Sequence, residues 1–158
     1  MRFFTFIAFM FATAPAIAAE PPSFSDFPFR EAFRASPAVP ILNTRQARMF
    51  RTVLRKEAAN GPNFAGHLTL ARWGCGAGCI SWAIINATTG AVWFAPFTVS
   101  DASGLDDPEL AQHSLDFEIN SELIIANGAR NESGAGTYYY RWHDNKLSLV
   151  HSIEYKQQ

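Results

Sequence analysis

The sequence predicts an α+β domain, mainly antiparallel β, with about seven strands and one N-terminal helix. Three observations lead there. Leu115, Phe117 and Ile119 alternate with Asp116, Glu118 and Asn120, the period of a strand with one dry and one wet face. Ala47, Phe50, Leu54 and Ala58 recur instead at helical spacing. From Gly61 onward turn-forming residues interrupt the chain at short intervals, which favours antiparallel neighbours over βαβ crossovers. A twisted sheet, a sandwich or an open barrel with the helix packed on it would satisfy this pattern.

In chain order, Met1-Arg2 carry one positive side chain, and Phe3 to Ala14 carry no charge. That run is shorter than the roughly 18 apolar residues of a membrane span. Pro15 then breaks a helix, and Ala16 and Ala18 place small residues where a signal peptidase requires them. Residues 1–19 are therefore expected to be a signal peptide cleaved near Ala18 or Ala19, giving a periplasmic or secreted protein without a stable membrane anchor. The remaining chain, about 139 residues, fits one domain.

Residues 20–42 carry Pro21, Pro22, Pro28, Pro37 and Pro40 among Phe24, Phe27, Phe29 and Phe33. Proline lacks the N–H that regular structure uses, so an extended arm is expected. Fully burying a phenylalanine contributes about 1.5–3 kcal/mol, which favours an arm lying along the body over one held out for a partner.

A single mainly-β domain, residues 43–158, then opens with a helix over 44–60, capped by Thr44 and stopped by Asn60-Gly61-Pro62. Arg48, Arg51 and Arg55 share one side of it, with Arg45 and Lys56 close by. This basic stripe is either a solvated face or a contact for an envelope polymer, a lipid head group or an acidic protein. The strands follow: 67–73 and 80–87 around a glycine-rich turn, 91–97, 115–120, 123–126, and finally 137–142 and 147–153, joined through Asp144-Asn145.

Residues 20–60 hold seven Lys or Arg against four acids, and residues 61–158 hold five against ten. A basic N-terminal piece thus leads an acidic body, and a net charge of −1 for the whole chain argues against nucleic acid as a partner.

The only two cysteines, Cys75 and Cys79, stand in Trp73-Gly74-Cys75-Gly76-Ala77-Gly78-Cys79. Between adjacent strands in an oxidising compartment they would face each other at disulfide distance and staple the turn. A metal or redox site built from Cys75, Cys79 and His67 is the competing reading. A phosphate-binding loop is excluded, because no helix start or Lys-Ser/Thr follows Gly78.

Gly61-Pro62-Asn63-Phe64-Ala65-Gly66-His67, the cysteine segment, Ala83-Ile84-Ile85-Asn86 and Thr89-Gly90 together resemble a block of an uncharacterised family of exported bacterial proteins. The likeness spans roughly residues 44 to 94 and implies export and a β-hairpin, without an activity. Asn86 and Leu68 depart from the Asp and the aromatic more usual in that block, which weakens an acidic role at position 86.

No catalytic signature links the histidines His67, His113, His143 and His151 to the loop acids Asp101, Asp106, Asp107, Glu109 and Asp144. On the strand of Tyr138, Tyr140 and Trp142, the alternate residues Tyr139 and Arg141 would be displayed as recognition anchors if the first three enter the core. The sequence thus reads as an exported, soluble binding module, of inhibitor or immunity type, for a protein or envelope polymer and without a cofactor. The alternative is a small periplasmic hydrolase or metal-dependent enzyme using His67, His113 and the loop acids.

Overall fold

The computed structural model describes residues 20–31, 33–76, 78–100 and 114–155. The expected signal peptide and the loop carrying His113, Asp101, Asp106, Asp107 and Glu109 lie outside them.

Thr44 caps the first helix as its position predicts, its hydroxyl accepting the Ala47 N–H at 3.0 Å. The single helix expected over 44–60 is two pieces, α1 (Arg45–Met49) and α2 (Arg51–Ala59). No proline or glycine interrupts the run. The break falls at Phe50, whose ring packs on Trp73 at 4.7 Å and near Phe94 at 6.1 Å.

Eight strands form one antiparallel sheet: β1 (Leu68–Gly76), β2 (Cys79–Asn86), β3 (Val92–Phe94), β4 (Val99–Ser100), β5 (Leu115–Phe117), β6 (Leu123–Arg130), β7 (Ser133–His143) and β8 (Lys146–Glu154). The main order is β1-β2-β4-β6-β7-β8, with β3 beside β2 and β5 beside β6. The eighth strand is β4, which joins Cys79 and Ile80 of β2 to Ala129 and Arg130 of β6. Asp144 and Asn145 both have positive φ, 49° and 58°, as a two-residue hairpin turn matched to strand twist requires.

One face of the sheet gathers Leu68, Leu70, Trp82, Ile84, Val99, Leu115, Ile124, Ala126, Tyr138, Tyr140 and Trp142 into one core with Phe64. The sheet curls to do so: Trp93 of β3 meets Trp142 of β7 at 5.5 Å, although these strands are not neighbours. On the other face, Ala71, Ala83 and Ile85 take Ala47, Leu54 and Ala58 of the helices. Small side chains on both sides let the helix axis approach closely.

The arm lies along the body, as expected from its phenylalanines. The backbone N–H of Phe29 donates to Asn120 O at 2.7 Å, that of Ala38 to Ala87 O at 2.7 Å, and that of Ile41 to Gly90 O at 2.7 Å. Buried Ser121 donates its hydroxyl to Phe24 O at 2.8 Å, with Phe27 O at 3.1 Å. A Cβ at Gly66 would overlap the Phe29 ring and the Glu31 carbonyl, so only glycine lets the arm seat there.

Candidate functional site

The cysteines are joined. Cys75 and Cys79, with Cα atoms 5.1 Å apart, bridge the β1–β2 hairpin, and positive φ at Gly76 and Gly78 closes so short a ring. This overturns the metal reading of Cys75, Cys79 and His67, because bonded sulfurs offer no thiolate ligand. His67 also precedes the opposite end of β1, roughly 25 Å away along an extended strand. Among the described residues no group of three or more His, Cys, Asp or Glu is arranged to hold a metal ion.

His67 lines a cleft of about 310 Å³ with Phe29, Glu122, Trp142, His143 and Asp144. Glu122 is committed on both oxygens: Arg141 Nε donates to Oε2 at 2.8 Å, and His143 Nδ1 lies 3.1 Å from Oε1. Arg141 adds an ion pair of 2.8 Å from Nη2. The Glu122–His143 contact resembles an acid–imidazole dyad. Yet among the described residues no Ser, Thr, Cys, Tyr or Lys lines this cleft to serve as nucleophile. Arg141 and His143, two apart on one strand, share a face, a spacing that the sequence reading left unused, and nothing in the sequence marks Glu122 as their partner.

Tyr139 corrects the sequence reading. It is 9% exposed rather than displayed, packed edge-on against His151 at 5.5 Å. Arg141, with a side chain 40% exposed, lies over the Phe27 ring of the arm at 5.4 Å. Arg141 is therefore a clamp on Glu122 and the arm. Arg48, Arg51 and Arg55 are all exposed.

The two outer edges of the sheet differ. On β1, the side-chain amide of Asn63 imitates a neighbouring strand, accepting the Leu70 N–H at 2.7 Å and donating to the Leu70 carbonyl at 3.2 Å. Thr69 adds a hydroxyl bond to Gly61 O at 3.1 Å. The outer edge of β8 pairs with no strand among the described residues. Leu149, Val150 and Ile153 on β8, and Tyr155 just beyond it, are 40–50% exposed.

Among the described residues no helix is long and apolar enough to cross a membrane. Compared with known proteins, the chain matches no family, no curated protein and no solved structure.

Proposed function

We propose that this protein is an exported binding module that takes up an extended segment of a protein partner along the free edge of β8. The observation that carries this reading is the asymmetry of the sheet: one edge is closed at Leu70 by Asn63, and the other, nine residues long, pairs with no strand among the described residues and exposes Leu149, Val150 and Ile153. An unpaired strand offers every second N–H and C=O to a partner backbone, which supplies affinity, while side chains on alternate faces supply selectivity. Stable domains blunt such edges with charge, proline or bulges. Here charge stands only at the two ends, Lys146 and Glu154, and one register shift interrupts the β7 pairing near mid-strand. The disulfide supports an oxidising, extracytoplasmic setting.

The test is selection of a random peptide library on the exported protein. Enriched peptides should alternate apolar and polar residues and lose binding to a variant carrying both Leu149→Lys and Ile153→Lys. Peptides that bind this variant as well as the parent, or no enrichment at all, would refute the assignment.

A further inference from the structure

We propose that the face made by α1, α2 and the arm segment beside them docks reversibly on an anionic lipid bilayer. Arg45, Arg48, Arg51, Arg55 and Lys56 are all exposed there, and among the described residues no carboxylate pairs with any of them. The rest of the body is acidic, with five basic side chains against ten acidic ones in residues 61–158, so the positive charge is concentrated on this face.

Charge alone would suit any polyanion; the apolar side chains decide between them. Val39 at 73% and Met49 at 63% are the most exposed large apolar residues described, and both belong to this face. Met49 stands one turn after Arg45 on α1, and both are exposed. Val39 lies in the arm segment that shares an apolar cleft of about 290 Å³ with Arg55, Ala58 and Ala59. Arg48 fixes the arrangement by donating from Nη1 to the carbonyls of Leu42 at 3.3 Å and Asn43 at 3.0 Å. Exposed apolar tips ringed by cations match a bilayer interface, where the tips enter the acyl boundary and the cations meet phosphates. A hydrated soluble polymer offers Val39 and Met49 nothing.

The experiment uses protein recovered from the periplasm of a host expressing the full chain, co-sedimented at low ionic strength with vesicles of phosphatidylcholine, with or without phosphatidylglycerol. Each cation near an anionic surface changes partitioning about fivefold, so the combined Arg45→Gln, Arg55→Gln and Lys56→Gln variant should bind phosphatidylglycerol vesicles about 100-fold less. Those three side chains make no hydrogen bond within the described fold, and an unchanged thermal melt would verify that it persists. Val39→Ser with Met49→Gln should weaken vesicle binding about tenfold and leave retention on dextran sulfate unchanged. Equal binding to neutral vesicles, no binding to anionic ones, or indifference to the Val39 and Met49 changes would overturn the proposal. The last of these would assign the face to a soluble polyanion.

Discussion

Asn63→Ala tests whether a single side chain closes the β1 edge. The change deletes the two bonds that pair the Leu70 backbone, one to its N–H at 2.7 Å and one to its carbonyl at 3.2 Å. Each contributes about 1 kcal/mol net, and a buried group left without a partner costs about 1–3 kcal/mol. Leu70 is buried, so water replaces the amide poorly, and the expected loss is about 2–4 kcal/mol, a large share of the stability of a domain this size. Asn63→Asp keeps the acceptor for the N–H and removes the donor, so it should lose about half as much. Urea titration followed by tryptophan fluorescence gives the stability. Hydrogen exchange at the Leu70 amide gives the local effect, expected to be roughly thirty-fold faster or more, since 1.4 kcal/mol corresponds to about a factor of ten. A variant within 0.5 kcal/mol of the parent, as an order-of-magnitude threshold, with unchanged Leu70 exchange, would mean that solvent seals this edge as well as Asn63 does.

Three further outcomes are expected. Replacing both cysteines by serine should lower stability by about 2 kcal/mol, the chain-entropy value for a five-residue loop, and dithiothreitol should reproduce the shift in the parent protein; no shift would remove the staple from the fold's energetics. Gly66→Ala should lose about 2 kcal/mol or more, because φ is +70° and the new methyl displaces Phe29; trypsin should then cut faster after exposed Arg30 and Arg34, and an unchanged rate would contradict the seating of the arm. The Ser23 backbone N–H, at 2.7 Å, and then its hydroxyl, at 2.8 Å, hold the Asp26 carboxyl below its ordinary value of 3.8. Its contribution is therefore present above pH 3.8 and lost as pH falls through the lower folded value, so a carboxyl NMR titration midpoint at or above 3.8 would contradict the geometry.

The elements that local chemistry specifies were legible: the Thr44 cap, the Asn60-Gly61 stop, the Asp144-Asn145 turn and the cysteine pair each depend on residues within a few positions. What escaped depends on distant chain. Strand β4 is two residues long, too short for any period to show, and exists because β2 and β6 bind it from both sides. Tyr139 was expected in water because alternation assumes one wet face. Instead His151, paired opposite it on β8, packs against the ring, a cross-strand contact that alternation within one strand does not reveal. β8 was readable as a strand from Leu147, Leu149 and Ile153, but being an edge is a property of the whole strand order. Asn63, Phe64 and Gly66, which carry part of the family resemblance, have structural duties: Asn63 closes an edge, Phe64 fills the core, and Gly66 admits the arm. These three residues act in folding.

The two proposed contacts occupy different parts of the sheet. The helices pack on β1 and β2, at one end of the strand order, and β8 is the other end. No cation of the basic face stands on β8, so neither event needs residues of the other. Independent sites predict additive free energies. The Arg45, Arg55 and Lys56 variant should keep its peptide affinity, and the Leu149 and Ile153 variant should keep its vesicle binding. A bound peptide should then co-sediment with anionic vesicles only when the protein is present. Loss of peptide affinity in the cation variant would place both events on one surface and merge the two assignments.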